Sequence, residues 1–481
     1  AMKKKISFGT DGWRGILAED FTFDNVRLVT RALARYLHSH GLAKRGVVVG
    51  YDNRFLSERF AEVITGVLTG QGIPVFLTGR PTPTPVVAFA VRLHKAGGAV
   101  MLTASHNPPE YNGFKFIPEY AGPALPHITE EIEKTIKSLL KGPDTQEPAA
   151  GAPAGSLVTT IDPFPEYARH LATLVDLEAI GKAGLKVAVD PMFGAGSGYL
   201  ENLFEQAGAS VEAIHNHRDP LFGGSLPEPT AKSLGELQEM VVKGGLDLGL
   251  AMDGDADRFG IVDSNGEFIT PNQYLPVLFY HLLKARGMRG PVARTVATTH
   301  QLDMIADRYG LEVDETPVGF KYIGQCLMEK GAVLGGEESG GLSIKGHIPE
   351  KDGLLAGLLA AELVAVYGTS LTELLDRVGG EFGRVYSRRL DVRTSYAEKE
   401  RVLGLLKDFA PGTLGGRKVT GRNTLDGVKL LLEGGAWVLI RPSGTESLFR
   451  IYVEAASLED VQSIQKEAVK ALGLQPGTAK T

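Results

Sequence analysis

Leu246-Asp247-Leu248-Gly249-Leu250-Ala251-Met252-Asp253-Gly254-Asp255-Ala256-Asp257-Arg258 joins a short apolar run directly to three carboxylates at alternate positions. The run has the length and composition of a buried strand rather than a helix. The same pattern recurs at Gly46–Gly50, Ala99–Leu102 and Lys186–Val189, where the residues that follow include Asp52, Ser105 and Asp190. Amphipathic stretches with helical spacing, such as Val26–Leu37, Arg59–Leu68 and Leu234–Val242, lie between the runs. Strands alternating with helices predict βαβ units and a mostly parallel sheet. In such sheets ligand-binding residues collect just beyond the carboxyl ends of the strands, which is where these polar residues fall.

Moving outward, Lys141–Ser156 is rich in Pro, Gly and Ala without periodicity and reads as a linker. A helix over Leu371–Val378 is followed by a second break, Gly379-Gly380 to Gly383. Beyond it come an alternating strand (Arg384–Val392), a helix (Ala397–Phe409), strands at Trp437–Ile440 and Leu448–Glu454, and a last helix (Leu458–Leu472), a smaller α+β domain. The middle is too long for one α/β unit and is divided near 263. The expected domains are therefore 1–150, 156–262, 263–380 and 384–481, one more than the three that 481 residues suggest at about 150 per domain. No short repeat is evident.

Composition removes several classes. Lys plus Arg is 51 and Asp plus Glu is 57, a net charge of −6, which disfavours a nucleic-acid wrapper. No apolar run approaches the length of a membrane span, and Lys3-Lys4-Lys5 lacks the apolar segment that completes a secretion signal. Ala1 before Met2 reads as a cloning remnant. The one cysteine, Cys326, excludes an internal disulfide and a CxxC site and reads as a buried thiol of a reducing cytosol, so a cytoplasmic location is expected. The 60 glycines, well above the ordinary share of about 7%, sit between apolar runs and suggest tight turns and close backbone–ligand contacts.

Asp253, Asp255 and Asp257 on a tight loop can converge on one hard cation such as Mg²⁺, which takes oxygen ligands. An EF-hand is excluded, because Arg258 and Ser264 stand where its Gly and Glu belong. A solvated acidic turn and an aspartate-nucleophile phosphatase remain as alternatives at this point. Thr103-Ala104-Ser105-His106-Asn107-Pro108-Pro109-Glu110-Tyr111-Asn112-Gly113-Phe114-Lys115 is an ordered loop by virtue of its Pro pair. Ser105 is its candidate nucleophile, with His106 and Lys115 as proton or charge partners; a plain turn is the local alternative. Arg441-Pro442-Ser443-Gly444-Thr445-Glu446, with Arg450 beyond, has the guanidinium, hydroxyls and bare backbone of a phosphate clamp, or of a simple hairpin turn. Gly336-Glu337-Glu338-Ser339-Gly340 suits polyol hydroxyls, and Phe8-Gly9-Thr10-Asp11-Gly12-Trp13-Arg14-Gly15 offers Arg14. The sequence has no GxSxG, GxxxxGK[ST] or GxGxxG. Nucleophile, metal loop, polyol loop and anion clamp together fit a phosphosugar enzyme.

These four motifs, in this order, resemble the α-D-phosphohexomutase family from end to end, most closely phosphoglucomutases and phosphomannomutases. The resemblance implies an α/β chain of four domains around a central cleft, three similar mixed α/β domains and a smaller C-terminal α+β domain. It implies catalysis at Ser105, carried as a phosphoserine, with Arg14, His106 and Lys115 around the transferring phosphate. Mg²⁺ would be held by that phosphoserine with Asp253, Asp255 and Asp257. Arg258 and Lys321 match phosphate or sugar contacts, and Glu337 and Ser339 the sugar pair. Arg441, Ser443, Gly444, Thr445 and Arg450 match the distal phosphate site. The implied reaction interconverts hexose 1-phosphate and hexose 6-phosphate through a 1,6-bisphosphate, with glucose 1,6-bisphosphate as activator and small hexose phosphates as partners, neither nucleic acid nor membrane. Mannose/glucose enzymes often carry a His where this chain has Gly341; His347 and Lys351 are the expected substitutes. Glu338 leans toward glucose and away from the glucosamine branch. A metal-dependent sugar phosphatase and a catalytically silent binding protein are the competing classes.

Overall fold

Val47-Val48-Val49 and Ala99-Val100-Met101-Leu102 are fully buried, as strands covered on both faces must be. In the computed structural model, which describes residues 6–9, 11–141, 157–443 and 447–474, they form β2 and β4 of a first sheet. Its elements are β1 (Trp13–Ile16), α1 (Phe23–Ser39), β2 (Val47–Tyr51), α2 (Ser57–Gly70), β3 (Val75–Thr78), α3 (Thr84–His94), β4 (Gly98–Leu102), β5 (Tyr111–Pro118), α4 (Pro126–Lys141) and β6 (Val158–Ile161). The strand order is β1-β5-β4-β2-β3-β6. The expected linker at 141–156 lies, apart from Lys141, outside the described residues. The strand just after it, β6, pairs in parallel with β3 and so extends the first sheet.

A second sheet follows helices α5 (Phe164–Leu174) and α6 (Leu177–Ala183). It contains β7 (Lys186–Asp190), α7 (Tyr199–Ala207), β8 (Ser210–Ala213), α8 (Gly235–Gly244), β9 (Leu248–Met252), β10 (Phe259–Asp263) and β11 (Phe268–Ile269), in the order β11-β10-β9-β7-β8. Both sheets are mostly parallel, as expected, and each is mixed through one strand that runs against the rest, β5 in the first and β10 in the second. β4–β5 and β9–β10 are antiparallel, because loops of so few residues can only turn the chain back, whereas a parallel return needs a crossover. The two plans match: β5-β4-β2-β3 corresponds to β10-β9-β7-β8, and in each the polar loop of interest is the hairpin connection.

The chain continues through α9 (Pro271–Lys284), β12 (Val292–Thr295), α10 (Gln301–Arg308), β13 (Val313–Thr316), α11 (Phe320–Glu329), β14 (Leu334–Gly336), β15 (Leu342–Ile344), α12 (Gly353–Tyr367) and α13 (Leu371–Phe382). β12 and β13 pair in parallel. The break expected at Gly379-Gly380 is instead inside α13, which continues to Phe382. Cys326 is buried in α11. α12 is apolar all round and is buried from Gly353 to Val364, the expected placement for such a helix. No single helix among the described residues is long and apolar enough to cross a membrane.

The last segment forms one antiparallel sheet, β16-β21-β20-β19-β18-β17. Its strands are β16 (Tyr386–Arg393), β17 (Thr413–Leu414), β18 (Arg417–Asn423), β19 (Val428–Leu432), β20 (Trp437–Pro442) and β21 (Leu448–Ala455), with α14 (Tyr396–Lys407) and α15 (Leu458–Ala471). The sequence reading missed β17 to β19. A core of Val402, Leu430, Val438, Ile440, Ile451, Val461, Ile464 and their neighbours lies under the helices. By packing, the chain divides into Ala1–Pro271 with Gly319–Gly335 and Ser339–Thr372, and Asn272–Val318 with Gly336–Glu338 and Glu373–Thr481.

Candidate active site

In the first unit, β4 ends at Leu102 and hands the chain to Thr103-Ala104-Ser105. Thr103 Oγ1 donates to Asp52 Oδ2 (2.6 Å) and accepts the Ser105 amide (2.9 Å). Ser105 takes a left-handed backbone conformation, φ +52°, which costs a non-glycine residue about 1–2 kcal/mol and therefore has to be held by its surroundings. Its hydroxyl donates to Asp253 Oδ2 at 2.8 Å and lies 3.4 Å from His106 Nδ1. The partner loop is the β9–β10 hairpin, with Met252 opposite Phe259. The two loops touch at Gly254, where an added Cβ would lie 2.4 Å from the Ser105 carbonyl oxygen; only glycine allows that approach.

The three aspartates of the hairpin are all buried, and their oxygens converge within 4.8 Å of one another. Asp255 Oδ1 and Asp257 Oδ1 are buried without a hydrogen-bond partner. Unmatched carboxylate oxygens converging in a buried site fit a hard divalent cation, so this triad can hold a metal ion.

Two lysines balance the acids. Lys115 is on β5, opposite Met101, not in a loop as the sequence suggested. Its Nζ contacts Asp11 (2.7 Å), Asp255 (2.8 Å) and Asp257 (3.1 Å). Burial alone would lower its pKa, but Asp11, Asp255 and Asp257 outweigh burial and hold it well above the usual lysine value. Lys351 reaches Asp257 (3.2 Å), Glu350 (3.4 Å) and Asp11 (3.6 Å) and is likewise held up against burial by these acids. Burial would raise Asp11, yet Lys115, Lys351 and Arg14 keep it well below the carboxylate range. Burial pushes Asp253 up, and its neighbours Asp255 and Asp257 add to this, which is the repulsion a cation would relieve. His106 is pushed down to about 2 by burial and by Arg258 and Arg14, so it is a neutral imidazole. Arg14, on β1 opposite Gly113, donates to Asn107 Oδ1 at 2.6 Å. The Arg258 amide donates to Asp253 Oδ1 at 3.0 Å, and its guanidinium lies 3.9 Å from Glu228. Lys321 is the second residue of α11; burial lowers its pKa against an attraction to Asp11.

His347 is placed differently from the expectation. Its buried ring contacts Asp352 Oδ2 (2.8 Å) through Nε2 and His170 Nε2 (3.0 Å) through Nδ1, so both nitrogens are already committed within the protein. Tyr167 donates to the same Asp352 oxygen, and Asp352 Oδ1 caps α12. His170 is pushed down to about 4 by burial, then by His347 and Arg92, against the pull of Asp352. The unfolded chain protonates this histidine near 6.5, so between about 6.5 and 4 it binds more protons than the folded chain, and stability falls as pH falls through that window. With the ring partly exposed, the expected loss is on the order of 1 kcal/mol. Thermal melts of His170→Gln at pH 4.5 and 7 should show a smaller pH dependence than the parent; an unchanged dependence would discard this assignment.

In the second unit, Gly336 passes so close to Leu275 that a Cβ would meet its Cδ2 at 2.6 Å. Glu337 is buried, and the Glu338 amide donates to Thr298 Oγ1. Ser339 belongs to the first unit. Arg441 and Arg450 are directly opposed on β20 and β21. Like charges facing one another across strands destabilise a sheet, so the pair is suited to an anion. Asp426 lies 2.9 Å from Arg441 Nε, and Ser443, buried at the end of β20, has its carbonyl held by Lys399. Gly444 and Thr445 lie outside the described residues. If this pair holds the non-reacting phosphate, as the resemblance implies, Arg441→Ala should weaken use of a hexose 1-phosphate and a hexose 6-phosphate alike, by roughly ten- to a hundredfold in KM, the worth of a charged hydrogen bond. An effect on only one of the two substrates would assign the site to a single orientation.

The sequence reading did not assign Asp11, Arg54, Thr84 or Glu350. Thr84 donates to Asp255 at 2.6 Å. Asp11 lay inside a motif already singled out, and Arg54 two residues beyond Asp52 at a strand's carboxyl end; those positions were the available signal.

Four models of the phosphoglucomutase/phosphomannomutase family match in succession: α/β/α domain I over residues 5–142, domain II over 165–266, domain III over 270–380 and the C-terminal domain over 389–471. A phosphoglucomutase/phosphomannomutase of Thermococcus kodakarensis is 32% identical over 97% of this chain and 98% of its own. A probable phosphoglucosamine mutase of Methanothermobacter thermautotrophicus is 34% identical over 96% and 97%. A crystal structure from Thermus thermophilus, of a protein assigned as a phosphomannomutase, superposes with a TM-score of 0.85 at 37% identity, covering 98% of this chain and 100% of that one. Fold and matches define the class as α-D-phosphohexomutase, an isomerase built from three α/β domains and a C-terminal domain. The chain belongs to the phosphoglucomutase/phosphomannomutase family.

Proposed function

We propose that this protein is an intramolecular phosphotransferase interconverting hexose 1-phosphate and hexose 6-phosphate, glucose favoured, through a phosphoserine at Ser105 and a hexose 1,6-bisphosphate. One observation carries the reading: a buried serine hydroxyl 2.8 Å from the first of three converging aspartates. Asp253, Asp255 and Asp257, with the phosphoserine, would hold Mg²⁺, which withdraws charge from a transferring phosphoryl group when bound. As the sugar hydroxyl oxygen bonds to phosphorus it gives up its proton, the bond from phosphorus to Ser105 Oγ breaks, and that oxygen regains a proton. The second half-cycle returns the other phosphate of the bisphosphate to Ser105.

Phosphoryl transfer asks for alignment and charge stabilisation rather than further covalent chemistry. Arg14, Lys115 and Lys351 supply fixed positive charge, and neutral His106 a hydrogen-bond partner to Ser105. Arg258 and Lys321 are assigned to phosphate or sugar contacts, Glu337 and Ser339 to sugar hydroxyls. Arg441, Ser443, Gly444, Thr445 and Arg450 are assigned to the phosphate that is not being transferred. His347 supports Asp352 and, through it, the segment that carries Lys351.

Coupled assays of glucose 1-phosphate, mannose 1-phosphate and glucosamine 1-phosphate, each primed with glucose 1,6-bisphosphate, test the reading. The expected order is glucose, then mannose, with glucosamine poor. Phosphate released one-for-one with substrate consumed would make the protein a phosphatase instead. Glu337→Gln should impair glucose and mannose substrates by similar factors, because the pair it belongs to is assigned to hydroxyls these sugars share.

A further inference from the structure

Arg54 is fully buried, an unusual place for a guanidinium, and the mutase chemistry above leaves it unused. It follows β2 at the second position after Asp52, which accepts its backbone amide (3.0 Å) and the Ser57 hydroxyl (3.3 Å). Asp52 Oδ2 lies 3.4 Å from Arg54 Nε, close enough for charge pairing though not aligned as a hydrogen bond. The guanidinium ends are spent on carbonyls. Nη2 donates to Ser105 O (2.8 Å) and Asn107 O (2.7 Å), and Nη1 to Pro108 O (2.8 Å) and Tyr111 O (3.0 Å). The ring of Phe222 closes the other side, 4.9 Å from Cζ.

Those four carbonyls run from the nucleophile to the first residue of β5, so one side chain ties together the whole turn that leads from Ser105 to Lys115. Five fixed N–H vectors in a plane can satisfy four divergent acceptors at once; an ammonium cannot. The turn needs such a restraint, because Ser105 is left-handed and its carbonyl is pressed against Gly254. Released, Ser105 would relax toward ordinary backbone angles and carry Oγ away from Asp253.

We infer that Arg54 is a positioning residue for phosphoryl transfer, its guanidinium gripping the Ser105–Tyr111 carbonyls so that the serine oxygen stays aimed at the aspartate triad. The inference rests on the mutase reading and adds to it a residue that touches neither substrate nor metal.

The test follows transfer of phosphate from glucose 1,6-bisphosphate to dephosphorylated Ser105 by rapid-quench intact-protein mass spectrometry, with parent, Arg54→Lys and Arg54→Ala side by side. The parent's phosphorylation checks the mutase reading independently: if the parent takes up no phosphate, that reading fails first. With the parent active, Arg54→Lys is expected to phosphorylate Ser105 at least a hundredfold more slowly. Its KM for glucose 1-phosphate should change less than threefold. Millimolar guanidinium ion should restore Arg54→Ala at least tenfold by occupying the vacated space, and should leave the parent unaffected. Parent-like rates in a folded Arg54→Lys, or a KM increase that accounts for the whole loss, would overturn the inference. So would failure of guanidinium rescue, or failure of both variants to fold, because Arg54 would then be a residue of the fold rather than of the turn's aim.

Discussion

Asp255→Asn is expected to reduce turnover about a thousandfold, the scale at which removal of a preorganised electrostatic group acts. Asp255 is the middle carboxylate of the triad; one oxygen is buried and unpartnered, and the other accepts from Thr84 and Lys115. Asparagine keeps the shape but brings a nitrogen donor where the site needs a second acceptor, and it leaves buried Lys115 with one fewer countercharge. The loss should appear in kcat much more than in KM, since the charge is needed when phosphate is in flight. Chelation with EDTA should silence the parent, and Mg²⁺ should restore it. A chelated parent that keeps full activity, or an asparagine variant within tenfold of it, removes the triad from the chemistry. Thermal melts run in parallel separate this from simple loss of fold.

Ser105→Ala should leave the fold intact, because the side chain's partners are Asp253 and His106 rather than the core, and should lower turnover at least a hundredfold. Intact-protein mass spectrometry of the parent should show a fraction carrying one phosphate, and peptide mapping should place it on Ser105. Phosphate mapped to Asp253 would favour the aspartate-nucleophile phosphatase, for which the same loop supplies a nucleophile. The alanine variant should still bind glucose 1-phosphate, which distinguishes a missing nucleophile from a collapsed site.

The parts of the site that the sequence exposed are those where chemistry and turn coincide in a few consecutive residues. Asp253, Asp255 and Asp257 could be read because apolar Leu248–Met252 stops abruptly at three acids, and Ser105 because a proline pair fixes the turn beyond it. Lys115 falls in a segment whose proline pair reads as a loop. Its strand, β5, opens Tyr111-Asn112-Gly113 and is buried on both faces from Asn112 onward, so periodicity does not reveal it. His347 stands out only through the resemblance, as a substitute for the His absent at Gly341; that its ring is taken up by Asp352 and by His170, 177 positions away, is decided by the fold. The only local signal at Arg54 is its place just beyond a strand's carboxyl end; what it does there is decided by four acceptors that lie 51 to 57 positions away.

By itself the sequence determined the α/β class, the four-domain composition and the identity of the chemical groups, because these depend on local periodicity and on residue types grouped within short loops. That the first domains are similar follows from the resemblance and not from periodicity, since a strand order is a pattern of pairing and not of residues; the shared order itself is seen in the structure. The resemblance places Ser105 and the three aspartates on one metal, but only the tertiary structure decides how their two hairpin loops meet, with the Ser105 hydroxyl on Asp253 and Gly254 against the Ser105 carbonyl. The tertiary structure alone decided which charges compensate which. Lys115, Lys351 and Asp11 come from well-separated segments, and the Coulomb energy that sets their protonation falls off with distance in space, whatever their separation along the chain.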